Sequence, residues 1–186
     1  MIYLVSGLWR SGTSMMMRCL DAGGMEIAYT IEQTNYVALH GYEPTPGGIF
    51  ETDVSEFRRP DFIDVYDGKV VKCPLPTLLE LPRHEYKLIF MLRKPKSIRR
   101  SMLRHAPTAL FPQEDMTWFY EQIFTAIIAE LNKRGDFDVW NIQYEDVIDD
   151  PYLQLEYPYR RGWPIDYQSA ARVVDASLQR NNINGR

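Results

Sequence analysis

The sequence predicts an α/β fold of three layers, with a mostly parallel sheet of about five strands and helices on both faces. Short apolar runs typical of buried strands alternate along the chain with longer segments of helical periodicity. In addition, the first strand-like run leads through a glycine-containing turn directly into a helix-like segment. The chain has 186 residues, a length that fits one domain spanning 1–186.

The strands are predicted where β-branched and aromatic residues cluster, at 2–5, 26–30, 68–73, 86–92 and 137–143. Segment 86–92 is apolar and contains no breaker, so it is the clearest central strand. Helices are predicted at 14–22, 97–105, 114–134 and 167–180. Gly23 and Gly135 provide stop signals for two of them.

Composition narrows the class of protein. Hydrophobic residues make up 45% of the chain and charged residues 25%, which is ordinary for a globular protein. The net charge of -4 argues against a general nucleic-acid binder. No apolar run approaches membrane-spanning length and no basic leader is visible, so we expect a cytoplasmic protein without a membrane partner. Cys19 and Cys73 are expected to be buried free thiols.

The first turn has the features of a phosphate-binding loop. Gly7 and Gly12 have the spacing of the G-x-x-x-x-G-K-[ST] motif, in which backbone amides surround an anion at a helix N-terminus. Thr13 occupies the position of the lysine in that motif, and the nearby cation is Arg10 instead. The residues expected to contact the anion are Arg10, Ser11, Gly12, Thr13 and Ser14.

This segment, GLWRSGTS at residues 7–14, resembles the 5′-phosphosulfate loop of sulfotransferases. The resemblance implies a fold like that of P-loop NTPases and 3′-phosphoadenosine 5′-phosphosulfate (PAPS) as the donor co-substrate. It also implies that no metal is required, because cationic side chains balance the charge that Mg²⁺ balances in NTPases.

A second motif follows the predicted central strand. Between residues 93 and 104 there are six Lys or Arg residues and no acid. Arg93 follows the strand directly, and Ser101 comes eight positions later on the predicted helix. This arrangement resembles the 3′-phosphate motif of sulfotransferases, which implies that Arg93 and Ser101 bind that phosphate.

The catalytic residues are less clearly indicated. The segment from Lys72 to Pro76 resembles the K-T-H-L-P segment of cytosolic sulfotransferases, but Pro74 replaces the histidine that acts as base. The resemblance implies that Lys72 stabilises charge on the bridging oxygen; the alternative is a lysine whose amine lies in water. Glu51 follows an apolar pair, like the G-x-[FWY]-E element of small bacterial sulfotransferases. We expect Glu51 to be the base, or else a solvated loop carboxylate. We also expect Arg10 to take part in catalysis, in addition to binding the anion.

The C-terminal part offers one further motif. Arg160, Arg161 and Gly162 resemble the R-K-G segment that closes over the 3′-phosphate in sulfotransferases, although an exposed basic turn explains them equally well. Residues 144–147, YEDV, resemble a Y-E-D-[LVI] segment that is mainly architectural in that family.

The predicted function is sulfuryl transfer from PAPS to the hydroxyl or amine of a small-molecule or carbohydrate acceptor. Variable loops build the acceptor pocket in sulfotransferases, so the resemblance implies that residues 31–66 and 106–113 form it here. Two alternatives stay open. One is a P-loop kinase using ATP and Mg²⁺, in which Asp64 and Asp67 would imitate a metal-binding strand end. The other is a non-catalytic nucleotide-binding protein of the same fold, which Pro74 favours. The oligomeric state is not predicted.

Overall fold

The computed structural model describes residues 1–31, 50–105 and 116–175. It confirms the predicted fold class, because five strands in this part of the chain form an all-parallel sheet with helices on both faces. The strands are β1 (Ile2–Gly7), β2 (Ile27–Ala28), β3 (Val70–Lys72), β4 (Tyr86–Leu92) and β5 (Phe137–Gln143). Their order in the sheet is β2-β3-β1-β4-β5. Strand β1, in the middle of the sheet, is followed by a loop and a helix, which is the predicted P-loop-like arrangement.

The described helices include all four that were predicted, together with several shorter ones. They are α1 (Thr13–Ala22), α2 (Phe62–Tyr66), α3 (Pro95–His105), α4 (Met116–Arg134), α5 (Tyr144–Asp149), α6 (Pro151–Arg160) and α7 (Tyr167–Arg172). Two 3₁₀ helices span Val54–Arg58 and Leu75–Leu79. The last helix ends at Arg172, so the predicted extension to residue 180 is wrong for the part that the structure describes. None of the described helices has the length and apolar character needed to cross a membrane.

The strand register brings all carboxyl ends to one side of the sheet. Tyr3 on β1 pairs with Val70 on β3 and with Lys87 on β4. Lys87 in turn pairs with Asp138 on β5. The loops that follow the strands therefore meet at one edge, which we call the carboxyl edge, and this is where ligands bind in open α/β sheets.

The strands alternate their side chains between two cores, one on each face of the sheet. Tyr3 and Val5 point into a core shared with α1, α5, α6 and α7. Ile2 and Leu4 point into the opposite core, shared with α2 and α4. The first core includes Met15, Met16, Met17 and Cys19, and the second includes Cys73. Both cysteines are buried free thiols, as predicted.

A single arginine joins the end of α4 to the neighbouring loops. The guanidinium of Arg134 donates to the carbonyl oxygens of Leu81 at 2.9 Å and Pro82 at 3.2 Å. It also pairs with Asp136 at 2.8 Å, and both side chains of this ion pair are largely buried. These contacts fix the start of β4 and of β5 relative to the long helix.

Candidate anion-binding site at the carboxyl edge

The segment at residues 7–14 between β1 and α1 forms a tight turn, here called the anion loop. Arg10 and Gly12 adopt positive φ angles of 68° and 104°. The Ser11 amide donates to the carbonyl oxygen of Leu8 at 3.0 Å, which closes the turn. A Cβ atom at Gly7 would lie 2.5 Å from the carbonyl oxygen of Met91, and one at Gly12 would clash with the ring of Tyr144. The glycines therefore allow the loop to pass tightly between β4 and α5.

The anion loop ends at the N-terminus of α1. Gly12 occupies the N-cap position, no side chain caps the helix there, and its first turn contains no acidic residue. Thr13 and Ser14 form the first turn and are half-buried. A helix of ten residues concentrates partial positive charge on the amides at this end. Such an end is suited to bind an anion.

The two predicted basic motifs meet at this loop. Arg10 Nε donates to Ser101 Oγ on α3 at 3.0 Å. Arg93, which follows β4, donates from Nη1 to the backbone carbonyl oxygen of Arg10 at 2.9 Å. The structure thus brings Arg10, Arg93 and Ser101 together, although they lie far apart in the sequence.

Arg93 is an unusually buried arginine, with only 8% of its surface exposed. Its guanidinium carbon lies 4.1 Å from the centroid of the Tyr144 ring, a cation–π arrangement. Burial lowers the pKa of Arg93, and the nearby Tyr144 and Glu145 oppose that change. The arginine retains its charge because the ordinary pKa of a guanidinium is so high.

Lys72 and Glu51 form an ion pair beside the anion loop. Lys72 Nζ lies 2.5 Å from Glu51 Oε1 and 3.0 Å from Ser14 Oγ. The Lys72 side chain is only 12% exposed, and this burial lowers its pKa, while Glu51 opposes that change. The alternative of a lysine with its amine in water is therefore wrong, whereas the Glu51 carboxylate is held in the ion pair with its side chain still 32% exposed. The pair places one cation and one carboxylate at the first turn of α1.

Ser11 does not present its side chain to a ligand, contrary to the prediction. Its side chain is buried, and its Oγ lies 2.6 Å from the position that a Cβ on Gly7 would take. Within the described part of the chain no group hydrogen-bonds that hydroxyl. Because the amide of Ser11 closes the turn on Leu8, the residue shapes the loop from inside.

Arg160, Arg161 and Gly162 do not lie with the anion loop, so their predicted contact with the 3′-phosphate is not supported. Arg161 pairs with Asp138 and accepts a hydrogen bond from Lys87 on its carbonyl oxygen. Both partners lie near the amino ends of their strands, at the edge opposite the loop. Arg160 pairs with Glu156 and its side chain is 70% exposed. Gly162, with φ of 77°, follows the end of α6. Of the two interpretations, the exposed basic turn is the one that the structure favours.

The metal-binding strand end considered for a kinase is also wrong. The segment that contains Asp64 is not a strand, because Phe62–Tyr66 forms α2, and Asp64 is exposed. Asp67 lies at the amino edge of the sheet, where it pairs with the ammonium group of Met1. Neither carboxylate lies at the anion loop.

Two residues that the sequence marked only as architectural belong to the site. Tyr144 lies against both Gly12 and Arg93. Burial raises its pKa, and the charge of Arg93 opposes that change. Both carboxylate oxygens of Glu145 are buried, and no hydrogen-bond partner for them lies within residues 1–31, 50–105 and 116–175. The signal that finds both residues is their position directly after β5, at the carboxyl edge.

The predicted acceptor segments lie largely outside the described residues, since 32–49 and 106–115 are not described. The described residues beside Glu51 include two with aromatic side chains. The rings of Tyr29 and Phe50 meet edge to face with centroids 6.0 Å apart. Trp9, at the tip of the anion loop, is 47% exposed.

Comparison with known proteins gives little further information. No protein-family model matches the chain, and no curated protein matches it. Among solved structures, the chain is similar to an unliganded sugar kinase from Janibacter sp. HTCC2649, with 14% sequence identity and a TM-score of 0.40. The alignment covers 83% of this chain and 93% of the kinase. A likeness at this level does not bear on what the protein binds.

Proposed function

We propose that this protein binds PAPS and transfers its sulfuryl group to a hydroxyl or amine of a small-molecule or carbohydrate acceptor. The observation that carries the proposal is the direct contact of Arg10 with Ser101 and of Arg93 with Arg10. Two motifs that resemble the two phosphate-binding segments of sulfotransferases form one basic site. Its position, at the carboxyl edge, is where parallel sheets bind nucleotides.

The chemistry of the anion loop fits the 5′-phosphosulfate group of such a donor. The loop offers the amide end of α1, and the missing side chain of Gly12 leaves room for the ring of Tyr144 beside it. Arg10 and Lys72 add two cations, so preorganised donors surround the place where negative charge develops on the leaving phosphate. Thr13 and Ser14 add hydroxyls. We assign the 3′-phosphate to Ser101 and Arg93, as the resemblance implies.

Glu51 is the proposed base in place of the histidine that Pro74 replaces. Its carboxylate is held by Lys72 next to Ser14, so it lies at the edge of the anion loop. An acceptor hydroxyl that reaches hydrogen-bond distance of Glu51 can lose its proton there while it attacks sulfur. Lys72 then stays beside the bridging oxygen as the leaving phosphate gains charge. The donor contributes the sulfuryl group, and the protein contributes position and electrostatics.

One observation keeps the kinase alternative in view. Lys72 brings an ammonium group to the hydroxyl of Ser14, although it comes from β3 and not from the loop. A lysine of a P-loop kinase reaches the terminal phosphates from within the loop itself. ATP with Mg²⁺ is therefore the competing ligand in the test.

Calorimetric titration with adenosine 3′,5′-bisphosphate and with ATP, each with and without Mg²⁺, separates the two functions. We expect tight binding of the bisphosphate that does not depend on Mg²⁺, and weaker binding of ATP. If ATP binds more tightly and only with Mg²⁺, the proposal is wrong and the kinase alternative is supported.

A second experiment tests the proposed base. Glu51→Gln should lower turnover by about 100-fold, in the range of general-base catalysis, with donor affinity changed by less than about threefold. Glu26→Gln is the control, because Glu26 makes an exposed ion pair with Lys69. Turnover can be measured with labelled donor on a panel of sugars and phenols. Unchanged turnover in Glu51→Gln would remove Glu51 from the mechanism.

A further inference from the structure

We propose that Tyr144 and Arg93 form a clamp that holds the anion loop in its binding conformation. In this role both are positioning residues for the loop, in addition to any contact of Arg93 with a phosphate. The inference needs only that the loop binds an anion; it does not depend on which nucleotide the protein uses. Neither the resemblance nor the sequence pattern assigns this role.

The first part of the clamp is the ring of Tyr144. It lies so close to the Cα atom of Gly12 that a Cβ there would overlap it. Tyr144 opens α5 directly after β5, and its side chain is buried. The ring therefore blocks one side of the loop at the residue that precedes α1.

The second part is the guanidinium of Arg93. It lies over the face of the Tyr144 ring and donates to the carbonyl oxygen of Arg10. A planar guanidinium can stack on a ring and donate in its own plane at the same time, which an ammonium group cannot do. Tyr144 thus fixes the orientation of Arg93, and Arg93 fixes the peptide that follows Arg10.

The contact falls where the loop is strained. Arg10 has a φ of 68°, a left-handed conformation that is unfavourable for a residue with a side chain, because its Cβ comes too close to the following carbonyl oxygen. Such a conformation persists when surrounding contacts hold it. The contacts at this turn include the hydrogen bonds from Arg93 to the carbonyl oxygen of Arg10 and from Arg10 to Ser101. They also include the bond from the Ser11 amide to Leu8 and the packing of Leu8 against Ile98 and Met102.

The arrangement has a consequence for ligand selectivity. Arg93 contacts the loop that is proposed to hold the 5′ group. Substitution of Arg93 should therefore lower the affinity for every anion that binds in the loop. A residue that only bound a 3′-phosphate would affect only ligands that carry one. Comparing pyrophosphate with adenosine 3′,5′-bisphosphate therefore distinguishes a clamp from a simple phosphate contact.

The test uses four variants of the full chain. Tyr144→Leu removes the ring face, Tyr144→Phe keeps it, and Arg93→Lys keeps the charge without the planar fork. Tyr3→Leu is the matched control, because Tyr3 is a buried tyrosine of the same core whose ring packs at a tilt against Trp163 with centroids 5.0 Å apart. Tyr3 lies near the amino end of β1, away from the loop.

Two measurements are made on each variant. Titration gives the affinities for pyrophosphate and the bisphosphate, and amide exchange by NMR gives the opening of the loop without any ligand. The reporter is the Ser11 amide, which donates to Leu8, and the reference is the Cys73 amide, which donates to Val5 in the sheet.

We expect Tyr144→Leu and Arg93→Lys to lower the affinities for both ligands by similar factors of about 10. Both variants should also speed amide exchange at Ser11 without changing the exchange rate at Cys73. Tyr144→Phe and Tyr3→Leu should leave the affinities within about twofold, even if Tyr3→Leu lowers the melting temperature. If Arg93→Lys lowers the affinity for the bisphosphate but not for pyrophosphate, the clamp is overturned and Arg93 is only a phosphate contact. Unchanged Ser11 exchange in Tyr144→Leu would also overturn it, whether or not any anion binds. Failure of the wild type to prefer the bisphosphate over ATP would refute the proposed function only.

Discussion

Gly12 shows how one missing side chain positions the anion loop. Its φ of 104° suits glycine, and the ring of Tyr144 fills the space that a Cβ would need. Two separate penalties therefore apply to any substitution there, one from the backbone and one from packing.

Gly12→Ala should destabilise the protein by about 2 to 5 kcal/mol, the sum of left-handed backbone strain and overpacking. Gly24→Ala is a matched control, because Gly24 also has a positive φ, of 85°, but nothing lies within 4 Å of its Cβ position. Gly24→Ala should lose only about 1 to 2 kcal/mol. Urea denaturation measures both values. Equal losses would show that Tyr144 does not restrict this position.

Lys72 should give the protein a stability that depends on pH. Burial lowers its pKa in the folded state, whereas the unfolded chain retains the ordinary value. Between these two pKa values the unfolded chain binds more protons, so the free energy of unfolding rises with pH. The stability of the wild type relative to Lys72→Met should therefore rise with pH in the range below the ordinary lysine pKa of about 10.4.

Urea midpoints of wild type and Lys72→Met across this range measure the effect. Lys133→Met is a control for the general pH dependence of the fold, because Lys133 makes an exposed ion pair with Glu130. A stability difference that stays flat or falls with pH would show that the pKa of Lys72 is not lowered in the folded protein, because the pairing with Glu51 outweighs burial.

At the scale of elements, Arg134 connects α4 to two strands through one guanidinium. Its substitution leaves carbonyl oxygens of the loop before β4 without their donor and Asp136 without its cation. Arg134→Ala should cost about 3 kcal/mol, the lower end for breaking a buried pair. The adjacent Lys133→Ala should cost less than about 1 kcal/mol, because its ion pair is exposed. Thermal or urea unfolding of the two variants measures both losses of stability. Similar losses for the two variants would mean that Arg134 contributes only as a surface charge.

The sequence predicts those elements whose pattern is long enough to be periodic. Strands β4 and β5 are predicted to the residue, because seven apolar or alternating positions without a breaker exclude other interpretations. Helix α2 is missed because five residues span little more than one turn. Helix α6 contains Pro158, which conceals it in a sequence pattern.

The candidate site is predictable as far as strand ends determine it. Arg10, Arg93 and Ser101 meet because parallel strands deliver their carboxyl ends to one edge. The pairing of Lys72 with Glu51 and the stacking of Tyr144 under Arg93 depend on side-chain packing between elements, which no spacing encodes. Arg160 and Arg161 follow no strand that would bring them to the carboxyl edge, and only the resemblance links them to the site.

At the scale of the whole molecule, the reaction rates of the two buried thiols would show whether the two cores unfold together. Cys19 lies in the core on one face of the sheet and Cys73 in the core on the other. Burial raises the pKa of Cys19 to about 12 and that of Cys73 well above its usual range, so neither is a reactive thiolate in the folded state.

Single-thiol variants Cys19→Ala and Cys73→Ala should therefore react with a thiol reagent at the same slow rate, set by unfolding of the sheet. The reaction rate of each variant in urea, where the chain is unfolded, gives the reference value for an exposed thiol. Faster labelling of one variant under native conditions would show that one core opens independently of the other.

The strand order has one more consequence, which concerns synthesis. The central strand β1 is the first to be made, yet its partners β3 and β4 come much later in the chain. At about 5 to 20 residues per second on the ribosome, Tyr3 is translated several seconds before Lys87, its neighbour in the sheet. Until β3 and then β4 have been translated, β1 lacks its partners on one side and then the other, so we expect its apolar residues to be open to chaperones during that interval.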